Sequence, residues 1–282
     1  MSSECHFALC VGGPYARGGA VVVGALARTF QRETPLSVWV LHSGLSPQDR
    51  ALYEAAVRLK RGREAVVRFV PLPPEVIRLP VQSDYITSET FGRLALPRLL
   101  PPTVSRVVYL DADLMILKDL SELYTWNLSG ACLAAVREPS DPFFWSRNGL
   151  EHAFELGLDP NSPYFNAGVL VMDLAALRAQ KMEERCLAYV AQHRPARMDQ
   201  DALNAVFLGA INELPTPWNV ENYFFKAAEH RHRYRTLLKD ARILHYTGYK
   251  KPWNHGVWQG DAWRKLLERL MHTAGVRDAL VP

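Results

Sequence analysis

Two aspartates separated by a single residue follow the most apolar strand-like segment of the chain. The segment Arg106 to Leu110 contains Val-Val-Tyr-Leu, and Asp111-Ala112-Asp113 comes directly after it. Ligands of open α/β sheets bind outside the carboxyl ends of the strands, so these acids lie where a binding site is expected. Carboxylate oxygens suit Mn²⁺ or Mg²⁺, and such ions bridge phosphate oxygens and neutralise developing charge. Asp-x-Asp also occurs in ordinary turns, and only its place after a buried strand favours a metal site.

A phosphatase of the haloacid dehalogenase type is a rival interpretation, because its nucleophilic acid also follows an apolar strand, in the pattern Asp-x-Asp-x-Thr/Val. In this chain the fifth position is Met115, and the motif lies in the middle of the chain rather than near its start. Both differences count against this class of phosphatase, and the metal site is preferred.

A second group of candidate residues lies in the segment 245–253, His-Tyr-Thr-Gly-Tyr-Lys-Lys-Pro-Trp. His245, at the end of a predicted strand, can bind Mn²⁺ through a neutral imidazole. Gly248 lets the backbone approach a phosphate, and Lys251 can place a point charge on a diphosphate. Separately, His245 would be a core histidine, Lys251 a surface charge and Trp253 a packing aromatic. Only their close grouping favours a site.

Polar residues suited to binding a sugar lie between these two groups. Asn166 can hydrogen-bond sugar hydroxyls, and Asp199-Gln200 can orient a donor sugar or stabilise an oxocarbenium-like centre. Asp199 could equally cap the helix that is predicted to begin near Gln200, because Asp is a frequent N-cap residue. Both interpretations of Asp199 stay open at the level of the sequence.

Alternating strand and helix patterns predict an α/β fold with a mainly parallel sheet. The predicted strands cover residues 6–11, 36–41, 65–71, 106–110, 131–136, 164–174 and 243–246. The predicted helices cover residues 15–30, 48–60, 90–100, 177–193, 200–208 and 260–275. Ser46-Pro47 marks the start of the second helix, with Ser46 as the N-cap and the proline in the first turn. The sequence has no internal repeat and no low-complexity linker, which predicts one domain.

The composition indicates a soluble protein with a sizeable core. Of the 282 residues, 48% are hydrophobic and 22% are charged, which excludes a disordered chain. A net charge of +4 is too small to indicate nucleic acid as a partner. The four cysteines lack paired or zinc-like spacing and are predicted to be reduced core thiols. Residues 1–6 do not resemble a secretion signal, and no apolar run approaches the roughly 20 residues that span a bilayer, which predicts a cytoplasmic location.

Four motifs occur in a fixed order along the chain. They are Tyr109-Leu110-Asp111-Ala112-Asp113, Phe165-Asn166-Ala167-Gly168-Val169, Asp199-Gln200-Asp201 and the segment 245–253. Their order and spacing, over roughly residues 6 to 255, resemble the retaining glycosyltransferases of family 8. That group includes bacterial lipopolysaccharide galactosyl- and glucosyltransferases and glycogenin. Each motif alone is common, and the resemblance depends on all four.

The resemblance implies a GT-A type fold, with a mainly parallel central sheet flanked by helices and a Rossmann-like nucleotide-binding half. We expect a single domain over residues 1–282, with a donor-binding half at about 1–136, an acceptor and reaction-centre half at about 137–255, and a C-terminal helix at about 256–282. The implied reaction moves galactose or glucose from a UDP-sugar to a saccharide or glycolipid acceptor, with retention of the anomeric configuration. We expect the protein in the cytoplasm, with peripheral contact at the inner face of the membrane.

The resemblance also implies roles for individual residues. Asp111, Asp113 and His245 would hold Mn²⁺, with Mg²⁺ as the alternative ion, on the donor diphosphate. Asp199 and Gln200 match the reaction-centre positions. An amide is a poor nucleophile, and the residues leave open whether retention uses a covalent intermediate or a same-face attack. The residues expected to bind the donor are Ala8, Cys10, Tyr15, Arg93, Asp111, Ala112, Asp113, Asn166, Ala167, Gly168, Asp199, Gln200, His245, Gly248 and Lys251.

One departure from the family pattern concerns the loop after the first predicted strand. The family usually carries Asp or Asn there to contact the nucleotide, whereas this chain has Gly12-Gly13-Pro14. We therefore expect main-chain groups of residues 8–11 to contact the base. Two other functions stay open: a glycogenin-like initiator that glucosylates itself, and a catalytically silent protein that binds a sugar nucleotide.

Overall fold

The computed structural model describes residues 4–60, 64–81 and 86–276 of the chain. The strands in these ranges are β1 (Cys5–Val11), β2 (Leu36–His42), β3 (Ala65–Pro71), β4 (Arg106–Leu110), β5 (Leu114–Ile116), β6 (Leu133–Arg137), β7 (Phe165–Asp173), β8 (Ile211–Leu214), β9 (Val220–Glu221) and β10 (Ile243–His245). The α-helices are α1 (Tyr15–Thr29), α2 (Pro47–Val57), α3 (Pro74–Ile77), α4 (Gly92–Leu99), α5 (Ser121–Tyr124), α6 (Leu174–Ala179), α7 (Met182–His193), α8 (Met198–Val206), α9 (Ala228–Arg233), α10 (Arg235–Asp240) and α11 (Gly260–Ala274). Short 3₁₀ turns cover Ser88–Phe91, Thr216–Trp218 and Asn222–Phe224.

The central sheet has seven strands within the described ranges, in the order β3-β2-β1-β4-β7-β6-β8. β1 pairs in parallel with β2 and β4, β2 with β3, and β6 with β8. β7 is antiparallel to both of its neighbours, β4 and β6. The predicted α/β fold with a mainly parallel central sheet is confirmed, and the carboxyl ends of β1 to β4 meet at one edge.

Two hydrophobic cores lie on opposite faces of this sheet, because successive residues of a strand point to opposite sides. Phe7, Leu9 and Val11 of β1 pack in one core together with α1 and α2. Ala8 and Cys10 of the same strand pack in the other core, with α4 and α7. All four cysteines are buried and free, as predicted.

Helices α1, α2 and α11 cover the same face of the sheet. α2 begins as predicted, with Ser46 as its side-chain N-cap and Pro47 in the first turn. α11 contacts both α1 and α2 and buries Trp263 and Leu270 in their core. The predicted C-terminal helix extended over residues 277–282, which lie outside the described ranges. Within those ranges no helix is both long enough and apolar enough to cross a membrane.

Two predicted helix boundaries are wrong. The helix predicted over 177–193 is two helices, α6 and α7, and Lys181 between them has a left-handed backbone with φ of 52°. The helix expected near Gln200 begins at Met198, so Asp199 already lies inside α8. The residue before this helix, Arg197, makes no side-chain cap.

A second sheet of three strands places β10 between β5 and β9. β5, β9 and β10 have three, two and three residues, and only β10 was predicted, as residues 243–246. β5 begins at Leu114, immediately after Asp113, and Leu114 pairs with His245 of β10. This pairing brings the histidine to the carboxyl end of β4.

Candidate active site

A cavity of about 400 Å³ lies at the carboxyl ends of β1 and β4. Its volume is typical of sites that bind small molecules. The residues expected to bind the donor that line this cavity are Cys10, Tyr15, Arg93, Asp111, Ala112, Asp113, Asn166, Ala167, Asp199, Gln200, His245, Gly248 and Lys251. Ala8 and Gly168 do not line it: Ala8 lies two residues deeper in β1, and Gly168 packs against the imidazole of His245.

Three of these side chains are placed to hold one metal ion. A ligand atom from each of Asp111, Asp113 and His245 lies within 4.8 Å of the other two. Nε2 of His245 lies 3.3 Å from Oδ1 of Asp113 and 3.7 Å from Oδ2 of Asp111. Two carboxylates and one imidazole suit Mn²⁺ or Mg²⁺ better than an ion that prefers thiolates. The turn between β4 and β5 supplies the acids, and β10 supplies the histidine.

Asp111 is oriented by two neighbours that act on the same oxygen. The Tyr109 hydroxyl donates a hydrogen bond of 2.8 Å to Oδ1 of Asp111, and Arg93 donates another of 3.0 Å. The Arg93 guanidinium also lies 4.5 Å from the centre of the Tyr109 ring. With Oδ1 held in this way, Oδ2 is the oxygen nearer to His245.

Asp113 and His245 are oriented from the opposite side of the cluster. Lys251 donates a hydrogen bond of 2.6 Å to Oδ2 of Asp113, and Nδ1 of His245 lies 3.0 Å from Oδ1 of Asn219. Burial alone would raise the pKa of Asp113, but Lys251 and His245 outweigh burial and hold this pKa well below its usual range. Asp113 is therefore ionised although it is buried.

Arg93 connects the cluster of Asp111, Asp113 and His245 to α8. Its guanidinium lies 2.8 Å from Oδ2 of Asp199 and also donates to the backbone carbonyl of Ala167. The Thr90 hydroxyl donates a hydrogen bond of 2.9 Å to Oδ1 of Asp199. Burial raises the pKa of Asp199 to about 6, while Arg93 acts in the opposite direction. The interpretation of Asp199 as a helix cap is wrong, because both carboxylate oxygens face other elements.

The amide of Gln200 is fixed by protein groups at both ends. Its Oε1 accepts a hydrogen bond of 3.0 Å from the Ala167 backbone N–H, and its Nε2 donates one of 3.2 Å to the Tyr164 hydroxyl. Asn166 is fixed in a similar way, since its Oδ1 accepts a hydrogen bond of 2.8 Å from the Gly168 N–H. These amides line the cavity in set orientations, which suits them to position a sugar.

Two glycines allow close approaches that a side chain would prevent. Gly248 has φ of 76°, a left-handed conformation that favours glycine, and its backbone lines the cavity. A Cβ on Gly168 would overlap the imidazole of His245 and lie 2.8 Å from Oδ2 of Asp111. The missing side chain at 168 therefore gives the histidine its room beside the acids.

Three buried carboxyl groups in the cavity, those of Glu89, Glu138 and Glu221, were not predicted from the sequence. Glu138 follows β6, accepts a hydrogen bond of 3.2 Å from Asn166, and lies 3.4 Å from Arg197. Glu221 pairs with His245 across β9 and β10, and its Oε1 has no hydrogen-bond partner in the described part of the chain. Burial, and then Glu138, raise the pKa of Glu221 well above its usual range. Other unpredicted lining residues are Ile86, Thr87, Thr90, Tyr109, Ser140, Arg197, Asn222, Tyr223, Lys226 and Thr247.

Comparison with known proteins identifies the family to which this chain belongs. Residues 6–256 match the family model described as glycosyl transferase family 8. The chain belongs to family 8. This membership confirms the resemblance drawn from the four motifs, and it makes the protein a glycosyltransferase.

Two curated proteins illustrate the range of similarity. General stress protein A of Bacillus subtilis (strain 168) is 26% identical over 262 residues, which cover 88% of this chain and 87% of that protein. The lipopolysaccharide 1,2-glucosyltransferase of Escherichia coli (strain K12) is 30% identical over 173 residues, which cover 58% of this chain and 48% of that protein.

Two solved structures share the fold. The galactosyltransferase LgtC, in complex with donor and acceptor sugar analogs, matches with a TM-score of 0.72 and 26% identity, over 98% of this chain and 97% of LgtC. An active-site variant of LgtC with glutamine changed to glutamate matches with a TM-score of 0.75 and 25% identity, over 94% and 95% of the two chains. The predicted GT-A type fold is confirmed.

Proposed function

We propose that this family 8 protein is a retaining, metal-dependent hexosyltransferase that moves galactose or glucose from a UDP-sugar to a saccharide or glycolipid acceptor. One observation carries the proposal: a group of side chains able to hold a metal ion lines the same cavity as Lys251 and the pair Asp199 and Gln200. LgtC has been solved with donor and acceptor sugar analogs, which supports a transfer between two sugar substrates. A cytoplasmic location and contact with a membrane surface stay predictions.

The donor diphosphate would be held at the metal cluster. Asp111, Asp113 and His245 would be the ligands for Mn²⁺, with Mg²⁺ as the alternative ion. A bound ion of this kind would offset the negative charge that develops on the leaving UDP. Lys251 adds a second positive charge next to Asp113. The backbone of Gly248 can approach the phosphates because this residue has no side chain.

The hexose would be positioned by α8 and by the first residues of β7. Gln200, held by Ala167 and Tyr164, orients the sugar and does not attack it, because an amide is a poor nucleophile. Asp199 places a negative charge beside the sugar, where an oxocarbenium-like centre would become positive. LgtC has an active-site glutamine, which supports a role for Gln200 in the same chemistry.

Release of UDP from a panel of UDP-sugars, measured with Mn²⁺ and simple saccharide acceptors, tests the donor and the reaction. We expect UDP to be released fastest from UDP-galactose or UDP-glucose. NMR of the product should show the same anomeric configuration as the donor. An inverted product would contradict retention. If none of the UDP-sugars yields UDP, the transferase proposal fails and the catalytically silent binding protein is the better description.

Mass spectrometry of the intact protein separates transfer to an acceptor from glycogenin-like self-glucosylation. After incubation with UDP-glucose and Mn²⁺ without an acceptor, we expect the mass of the protein to stay unchanged. Gain of one or more hexose units would establish the self-glucosylating alternative.

A further inference from the structure

Glu89 brings a buried carboxylate to the edge of the sheet where β1 and β2 end. It lies in the 3₁₀ turn before α4, is 8% exposed and lines the cavity. Ser43, the residue after β2, donates a hydrogen bond to Oε1 of Glu89. Among the described residues, no lysine or arginine forms an ion pair with Glu89. A buried carboxylate without a cationic partner, facing a cavity, is suited to receive a hydrogen-bond donor from a ligand.

Gly12 leaves the space that this carboxylate fills. A Cβ built on Gly12 would overlap the carboxylate of Glu89 and the hydroxyl of Ser43. The φ of Gly12 is not positive, so space rather than backbone conformation limits the residue at this position. The sequence had left only main-chain groups of residues 8–11 for reading the base. The structure adds an acidic side chain that comes from a different element.

The order of the strands indicates which part of a sugar nucleotide reaches Glu89. The metal cluster lies at the end of β4, and Asn166 and Ala167, on the sugar side, lie on β7. β1 and β2 lie on the opposite side of β4 from β7. In a sugar nucleotide the diphosphate stands between the hexose and the nucleoside. A donor with its diphosphate at β4 and its hexose toward β7 therefore directs the nucleoside toward β1, β2 and Glu89.

Resting on the proposed use of a UDP-sugar, we propose that Glu89 reads the base by accepting a hydrogen bond from N3–H of uracil. An ionised carboxylate offers acceptors only, and uracil presents a donor at N3. Adenine and cytosine present unprotonated ring nitrogens at the corresponding positions, which a carboxylate repels. Guanine presents an N–H there, so GDP is the competitor that this contact does not reject.

Binding of three ligands distinguishes a contact to the base from a contact to the ribose. We would measure binding of UDP, N3-methyl-UDP and 2′-deoxy-UDP by calorimetry with Mn²⁺ present. The wild-type protein is expected to bind UDP about 10- to 100-fold more tightly than N3-methyl-UDP, as for a hydrogen bond to a charged group. In Glu89→Ala the two should bind about equally, while any preference for UDP over 2′-deoxy-UDP is unchanged.

Moving the carboxylate from position 89 to position 12 tests whether the preference for UDP can be restored. In Gly12→Asp/Glu89→Ala the Ser43 hydroxyl has lost its partner and can rotate away, so the new side chain can enter the space that the glutamate vacates. We expect most of the preference for UDP over N3-methyl-UDP to return. Gly12→Ala/Glu89→Ala is the matched control, which fills the same space without charge and should show no preference. Circular dichroism and thermal unfolding of each variant check that the fold is intact.

Two results would overturn the assignment of Glu89. One is full discrimination against N3-methyl-UDP in Glu89→Ala. The other is loss of the preference for UDP over 2′-deoxy-UDP in that variant, which would place the ribose at the carboxylate. Failure of the proposed function looks different: a wild-type protein that binds UDP as described but turns over no UDP-sugar keeps the base contact and loses the transferase activity.

Discussion

At the scale of single residues, two buried aspartates of the cavity are held in different ways. Lys251 and His245 hold the pKa of Asp113 well below its usual range in spite of burial. Asp199 has Arg93 as its cationic neighbour, and burial raises its pKa to about 6. Asp113 thus stays an anion for a metal ion, whereas Asp199 can titrate near neutral pH.

Asp199→Asn and Gln200→Ala are expected to slow transfer much more than they weaken UDP binding. Both residues are assigned to the hexose and not to the nucleotide, so kcat should fall by about 100-fold while the Kd for UDP changes by less than about threefold. Steady-state kinetics and calorimetry measure the two quantities. Gln192→Ala, an exposed glutamine of α7, is the control. A parallel loss of rate and UDP affinity would contradict the assignment.

The titration of Asp199 predicts an acid limb in the rate of transfer. As the pH falls through about 6, the carboxylate takes up a proton and loses its pairing with the Arg93 charge, so kcat at saturating UDP-sugar and Mn²⁺ should fall. Asp199→Asn cannot titrate, and its residual rate should lack this limb. A pH profile of the variant with the same limb as the wild-type protein would assign the limb to another group.

At the scale of secondary structure elements, every described strand of five or more residues was predicted, whereas of the shorter ones only β10 was. β1, β3 and β4 are marked by apolar runs, and Ser46 with Pro47 marks the start of α2. β9 has two residues and no pattern, so Glu221 was missed with it. No sequence pattern marked Glu89 either. Its proposed role depends on the space that Gly12 leaves for its carboxylate, and only the folded chain brings the two residues together.

The close approach of Gly168 in β7 to the imidazole of His245 in β10 predicts that Gly168→Ala damages the proposed metal site. The added methyl group would overlap His245 and crowd Asp111, so we expect the affinity for Mn²⁺ to fall at least about tenfold. Gly44→Ala is the matched control, because a Cβ there meets nothing within 4 Å. Mn²⁺ titration followed by electron paramagnetic resonance measures both variants. Equal Mn²⁺ affinity in Gly168→Ala and the wild-type protein would show that the cluster is not the metal site.

At the scale of the whole molecule, the chain order within the sheet supports one domain. β7, from the half at about 137–255, lies between β4 and β6. The two halves named from the sequence therefore share one sheet. The single domain over 1–282 stays a prediction, and it implies one cooperative unfolding transition.

Chemical denaturation tests that prediction through Trp263 of α11, which is 1% exposed. Trp263→Ala is expected to lower the free energy of unfolding by about 3–5 kcal/mol, because it leaves a cavity in the core shared with α1 and α2. Fluorescence and circular dichroism should still report one coincident transition. Trp145→Ala, at a residue that is 59% exposed, is the control and should change stability by less than about 0.5 kcal/mol. Two separate transitions in the wild-type protein would contradict a single domain.

The dependence of UDP release on Mn²⁺ tests the central claim most directly, namely that Asp111, Asp113 and His245 hold the metal on which transfer depends. We expect wild-type turnover to require Mn²⁺ and to stop in excess chelator. In Asp113→Asn the rate of UDP release should fall by more than about 100-fold. This loss exceeds the one typical of residues that only orient a metal ligand. Asp261→Asn, whose side chain is 82% exposed on α11, should behave as the wild-type protein does. Full turnover in excess chelator, or in Asp113→Asn, would contradict the account.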